Sequence, residues 1–340
     1  MSIRLTSILL SVLILGIALA WGTGEVALPW QKLWSAWLGS QTLTPEATGE
    51  VMIAEIILLE IRLPRILFAI TVGAALGLAG AAMQGLLRNP LAEPSIMGIS
   101  GGAAVVSVTL LYFGIALWQS WLLPLGAVFG SLLSLALVWF IAGRGASITT
   151  LILSGVAVAA FFAGIVALLL SLAPNPFAMQ ELNFWLLGSV ANRDIVQWYF
   201  QAPFIFLGAF LVLASGRYLQ ALTLGEETAS TLGFHIVLRR WQVLIGCALL
   251  VGASVAMTGI IGFIGLIVPH LLRSSVGSDP RALLPASALG GACLLVWADL
   301  FVRWLPTPQA LQVGVILTLL GGPFFLALIL KERIDWGAKR

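Results

Sequence analysis

Charge is what this sequence has least of. Only 9% of its 340 residues are Asp, Glu, Lys or Arg, against about 25% in a soluble domain. None of the long apolar runs carries a charged residue near its middle. The first scarcity excludes an ordinary soluble fold. The second removes, as far as the sequence goes, the intramembrane ionisable group that a proton- or sodium-driven pump needs, so work would be driven from outside the membrane. Lysine is confined to Lys32, Lys331 and Lys339, and none follows a glycine. A Gly-x-x-x-x-Gly-Lys-Ser/Thr loop for ATP is therefore absent. The two cysteines, Cys247 and Cys293, fall in apolar runs and read as packing residues rather than a disulfide or metal pair. His235 and His270 have no second ligand at metal spacing. No nucleophile, base or metal constellation appears, so the chain does not read as an enzyme. The net charge of +3 gives no sign of nucleic-acid binding.

Apolar residues, by contrast, make up 60% of the chain. A hydrocarbon core about 30 Å thick takes about 20 apolar residues per helix. The sequence thus has room for about ten spans and no separate soluble domain. The expectation is an all-α integral membrane protein forming one transmembrane domain over residues 1–340. Spans are predicted near 6–24, 62–87, 94–113, 118–142, 148–173, 195–216, 240–259, 261–273, 282–301 and 309–330. Arg4, the apolar run and Ala18-Leu19-Ala20 imitate a signal peptide, but are read as an uncleaved first span.

The run from Trp241 to Leu272 is too long for one upright span and short for two. Gly259, Gly262 and Gly265 interrupt it. Lys and Arg favour the cytoplasmic side. With two passages, twelve basic residues (Arg4, Arg88, Arg144, Arg217, Arg239, Arg240, Arg273, Arg281, Lys331, Arg333, Lys339, Arg340) face inward against five outside: Lys32, Arg62, Arg65, Arg193 and Arg303. With one passage the balance becomes seven inside and ten outside. Two passages are favoured, which puts both termini in the cytoplasm. Asp279-Pro280 and Thr307-Pro308 are start signals for the last two spans. Gly73-x-x-x-Gly77, Gly98-x-x-x-Gly102 and Gly126-x-x-x-Gly130 are faces on which helices can approach closely. Val72-Gly73-Ala74 with Gly80 is echoed by Val251-Gly252-Ala253 with Gly259, in spans of opposite direction. Such an echo fits an inverted repeat or chance.

Three polar segments stand out. Leu224-Gly225-Glu226-Glu227-Thr228-Ala229-Ser230-Thr231-Leu232-Gly233 has acids for the positive end of a helix dipole and a glycine for a left-handed cap. It predicts a two-turn cytoplasmic helix, either a solvated connector or a knob for a soluble partner. Gln84 to Ser95 holds Pro90 and Pro94, which force irregular backbone at membrane depth; such backbone lines a cavity or is buried in protein. Asn89 and Glu93 can bond its freed amides. A structural turn and a gate both remain open. Arg62, Arg65 and Arg303 lie outside, against the positive-inside bias. They either snorkel or pair with Glu60 and Asp299, or form a rim for an external protein's carboxylates.

Several motifs in order resemble the FecCD-like permease subunits of type II ABC importers, which carry iron-siderophore, haem and cobalamin. They are Arg62-Leu63-Pro64-Arg65, Gly73-Ala74-Ala75-Leu76-Gly77, Met83-Gln84-Gly85 and Asn89-Pro90-Leu91-Ala92-Glu93-Pro94. Next come Leu224-Gly225-Glu226 with Leu232-Gly233, and Gly259-x-x-Gly262-Phe263-Ile264-Gly265-Leu266-Ile267-Val268-Pro269-His270. Ala298-Asp299 with Arg303, and Gly314-Val315 to Gly322-Pro323-Phe324-Phe325, complete the set. The resemblance runs from about residue 55 to 330. It implies a multi-pass protein of the bacterial inner membrane. A second permease chain, two ATP-binding subunits that hold ATP and magnesium, and a periplasmic substrate-binding protein would be its partners, with no cofactor on this chain. It also implies an ATPase-docking helix (Leu224, Gly225, Glu226, Glu227, Thr228, Ala229, Leu232, Gly233), binding-protein contacts at Arg62, Arg65 and Arg303, and an inner gate at Asn89, Pro90, Leu91, Thr149 and Leu153. One departure is Leu311-Gln312, where many relatives carry an acidic residue with Leu-Pro before Gly-Val. A secondary transporter or channel working alone, and a non-transporting scaffold, are the rival readings.

Overall fold

The computed structural model describes residues 3–24, 53–143, 146–305 and 311–337. Every regular element among them is helical. In chain order these are α1 (Ile3–Gly22), α2 (Leu63–Leu87), α3 (Ile99–Tyr112), α4 (Leu122–Ala142), α5 (Ile148–Ser171), α6 (Pro176–Leu186), α7 (Ile195–Ala214), α8 (Gly216–Leu222), α9 (Glu226–Thr231), α10 (Ile236–Thr258), α11 (Ile264–Val276), α12 (Pro280–Trp304) and α13 (Val313–Gly337). Seven helical stretches are long and apolar enough to cross a membrane, and Ile99–Tyr112, Ile264–Val276 and Val313–Leu328 are shorter apolar helices. The chain is a multi-pass membrane protein.

Several boundaries differ from the sequence expectation for physical reasons. The second span starts by Ile53, not near 62, because Pro64 does not begin a helix there. A π-helical turn over Ile57–Arg62 precedes it, and Leu63 N–H donates to Leu58 O five residues back. This register shift carries the helix past the proline. The span expected at 94–113 is broken: a 3-10 turn at Pro94–Met97 ends on Gly98 (φ 68°), and α3 starts after it. α6 and α8 were not expected. α6 has its own start signal, since Asn175 accepts from Ala178 N at 2.8 Å and Pro176 follows. The break in the Trp241–Leu272 run is real, with Gly259 at φ 69° and Phe263 at φ 67°. The thirteen residues of α11 reach only about 20 Å at 1.5 Å per residue, less than the hydrocarbon thickness of about 30 Å. At Asp279, the side chain caps α12 through Arg281 N at 3.0 Å. Thr307-Pro308 lies outside the described residues.

The centre of the molecule is α2, α10 and α12. Lipid supplies no hydrophobic drive between helices, so close backbone approach must hold them. The sequence provides it. A methyl group at Gly73 would overlap the Gly291 carbonyl of α12, and one at Gly80 would overlap Gly265 of α11. Gly102 and Gly130 stand in the same relation across α3 and α4. The echoed segment uses its glycines likewise, Gly252 against α4 and Gly259 against the Trp185 carbonyl. Irregular backbone in the interior finds partners too. Ser134 Oγ donates to Met97 O at 3.0 Å and Ser131 Oγ to Ile99 O at 3.2 Å. Cys247 and Cys293 are buried and free.

Candidate functional site

Polar chemistry concentrates at three levels: one end of the bundle around α12's C-terminus, a cavity in the middle, and the α8–α9 segment at the other end.

At the first level Asp299, almost fully buried, holds two arginines. Arg65 approaches with Nη2 at 2.8 Å and Nε at 3.0 Å from Oδ1. Arg303, one turn along α12, donates from Nε to Oδ2 at 2.9 Å and from Nη2 to the same oxygen. Arg303 also reaches Ala20 O at 3.2 Å, and Arg62, itself buried, donates to Trp21 O. The three arginines expected at the outer rim are therefore brought together, and Arg62 and Arg303 are tied to α1. Arg65 and Arg303 pair with Asp299, one of the two acids considered from sequence; Glu60 is exposed. Among the described residues, Arg65 and Arg303 thus share a single carboxylate.

These arginines border a cavity of about 770 Å³ that also meets Trp185, Ser189, Arg193 and Gln312. A second cavity of about 670 Å³ lies beside it, lined by Leu76, Val255, Ile260, Phe263, Thr318 and Glu93 among others. Trp185 and Ser189 border the first cavity, Leu186 and Leu187 the second; Gln312 borders the first, Gly314 the second. The loop after α6 and the start of α13 thus form a partition. Gly314 N–H donates to Gly188 O at 3.0 Å, and Ser189 N–H to Thr258 O at 2.7 Å. Gly188, at φ 79°, lies so close to the Ile260 carbonyl that a side chain would not fit.

Glu93 brings an acidic group to the wall of the second cavity. It lies in no apolar run, yet its loop folds back so that Oε1 accepts from Phe263 N at 3.0 Å, and Oε2 from Ser95 Oγ at 3.3 Å. Burial pushes its carboxyl above the usual range, against the pull of these two donors. Phe263, in the left-handed region, is held there by this bond. Asn89 closes the preceding turn, its Oδ1 accepting from Leu91 N at 2.9 Å, with Pro90 between them. A link that sequence reasoning missed runs nearby: Gln84 Nε2 donates to Gly265 O at 3.2 Å, while its Oε1 accepts from Arg273 at 2.7 Å. A lone glutamine in an apolar helix was the available signal. The other expected gate residues lie on α5, where Thr149 and Leu153 are exposed. α5 meets the Asn89–Met97 segment farther along, with Gly155 against the Ile96 carbonyl.

At the opposite end, Gly225 (φ 109°) opens α9 and Gly233 (φ 89°) closes it. Glu226 and Glu227 occupy its first turn, where the helix dipole favours acids. Ala229 is buried, while Glu227, Thr228, Leu224 and Leu232 are exposed. Glu226 pairs with Arg240 of α10 at 2.8 Å, and Tyr218 packs against Phe234 with ring centroids 6.0 Å apart. His235 precedes α10 and His270 stacks edge-on to Phe324. No group of three potential metal ligands occurs among the described residues.

The FecCD transport family matches residues 12–331. The chain belongs to the FecCD transport family. The chain is similar to the hemin transport system permease protein HmuU of Yersinia pestis, 38% identical over 96% of this chain and 94% of its own length. The vitamin B12 import system permease protein BtuC of Vibrio cholerae is 43% identical over 80% and 82%. Among solved structures, an inward-facing metal-chelate type ABC transporter superposes with a TM-score of 0.83 at 30% identity, covering 96% of this chain and 99% of that one. The charged end, the two cavities and the α9 knob are therefore features of a FecCD-family permease.

Proposed function

We propose that this chain is the membrane-spanning subunit of an ATP-driven importer in a bacterial inner membrane, moving an iron chelate (siderophore or haem) or cobalamin by alternating access. The knob carries the reading. α9 is anchored from behind by Ala229 and by Arg240, yet Leu224, Leu232, Val237 and Leu238 are each at least 59% exposed. An apolar patch beside exposed Glu227 suits a partner's cleft rather than water. In this reading two ATP-binding subunits, holding ATP and magnesium, grip this knob and that of a second permease chain. The charged end receives acidic residues of a periplasmic binding protein at Arg62, Arg65 and Arg303. The partition acts as the outer gate, and Asn89, Pro90 and Leu91 with Thr149 and Leu153 as the inner one. Both termini are cytoplasmic, and the glycine echo marks an inverted repeat. ATP binding biases a two-state element from a distance.

Glu93 favours a second reading, a secondary transporter with a titrating carboxyl in its path. One experiment separates the two. In proteoliposomes holding the complete importer, uptake should require ATP, and charge reversal by Glu226→Lys with Glu227→Lys should lower transport-coupled hydrolysis at least tenfold while the subunits stay assembled. Uptake driven by an ion gradient without ATP would establish the second reading instead.

A further inference from the structure

Arg193 is the one arginine at the charged end that has neither an acid nor a hydrogen-bond partner among the described residues. It borders the 770 Å³ cavity. Its Nε is sealed from water and unsatisfied, as are Trp185 Nε1 and Gln312 Oε1 on the same wall. The residue is partly exposed and its terminal amines are not sealed, so its charge faces the cavity with no acid paired to it among the described residues. The acids in reach are engaged elsewhere or turned to solvent. Asp194 caps α7, its Oδ1 accepting from Val196 N at 3.1 Å. Asp299 is taken by Arg65 and Arg303. Glu181, which also borders the cavity, is exposed and forms no ion pair. Burial alone pushes the Arg193 guanidinium down to about 10, so it remains a full cation at neutral pH.

The position is also built rather than accidental. Asn192 adopts the left-handed region at φ 56° immediately before it. Ala191 N–H donates to Ser189 Oγ at 3.1 Å, and Asp194 N–H to Gln197 Oε1 at 3.3 Å. With the bonds from Ser189 to Thr258 and from Gly314 to Gly188, the segment from 188 to 194 is fixed at four points. The backbone that carries Arg193 is therefore held in place before anything binds, which limits that part of the ordering cost.

We infer that Arg193, with Trp185 and Gln312, forms a subsite for a carboxylate carried by the small-molecule cargo as it enters the outer cavity. The terminal amines of the guanidinium give a donor pair to a carboxylate, and the open end of the Gln312 amide can bond the anion or a hydroxyl beside it, with the Trp185 ring as the adjoining wall. The cargo, on the importer reading above, would be an acidic chelate rather than a neutral one. A carboxylate from the binding protein shares this chemistry. The location favours the small molecule: Arg193 lies in the cavity wall and has no paired acid among the described residues.

The test uses the complete transporter in nanodiscs, with citrate as the probe and its trimethyl ester as the neutral control. Radiolabelled citrate should bind saturably, the ester should not displace it, and Arg193→Gln should weaken it about tenfold, the loss of one charge-assisted contact. Arg193→Lys should retain most of the binding. Absence of saturable citrate binding, or equal binding to wild type and Arg193→Gln, overturns the inference. So does a result in which Arg193→Gln weakens docking of the purified binding protein while citrate fails to bind, because the carboxylate is then a protein side chain. If Arg193→Gln does not assemble, the wild-type contrast between citrate and ester decides. Loss of ATP-driven uptake in wild type would sink the importer reading and leave the citrate result standing.

Discussion

Replacing Asp299 by Asn should be the most damaging single change at the charged end, and the reason is an asymmetry. Asp299 is 3% exposed at its side chain, Arg303 is 7% and Arg65 is 18%. Removing the acid's charge leaves two largely buried guanidiniums facing each other without compensation. Breaking a buried pair from one side costs about 3–5 kcal/mol, and here the repulsion between Arg65 and Arg303 adds to it. Arg65→Gln is different. Asp299 then still has Arg303, so the cost is about that of one charge-assisted bond, about 1.5–3 kcal/mol. Unfolding in mixed micelles, followed by tryptophan fluorescence, measures both. The expected order is Asp299→Asn well below Arg65→Gln, with the double variant recovering part of the loss because one orphaned cation is gone. Equal losses in the two single variants, or no recovery in the double, would refute the idea that Asp299 is a shared anchor.

Two further outcomes follow from the packing and the loop. Gly80→Ala should cost about 1–3 kcal/mol by overpacking, since its methyl would meet Gly265 backbone, which cannot step aside as a side chain can; reduced yield of monodisperse protein on size exclusion would show it. Glu93→Ala should strand the Phe263 amide at a cost of about 1–3 kcal/mol and impair transport, whereas Glu93→Gln keeps an acceptor oxygen and should retain it. Comparable uptake defects in both would mean that the negative charge, not the bond to Phe263, matters.

Fold class was readable because a multi-span protein declares itself in composition. The α9 knob was readable for a local reason: its acids and its two flanking glycines do their work within ten residues. What escaped the sequence was long-range or silent. Pro64 looks like a helix start, and only the π-helical turn before it shows otherwise. Nothing local to Glu93 says that its loop returns to meet Phe263, which is 170 residues away in the chain. Asp299 could be paired with the arginines only as one of two choices, since a helix sequence does not say which neighbour lies across the gap. Asn175-Pro176, however, had the same form as Asp279-Pro280, and α6 was there to be found.

α10 contains no proline, unlike α7, α11, α12 and α13. Its 23 residues make a shaft about 34 Å long. Arg240 at one end grips α9, and the other end stops four residues short of Phe263 and Glu93's bond to it. If the importer reading holds, a push on the knob would meet an unbroken helix as far as the loop before Phe263, with no proline joint in between to absorb it.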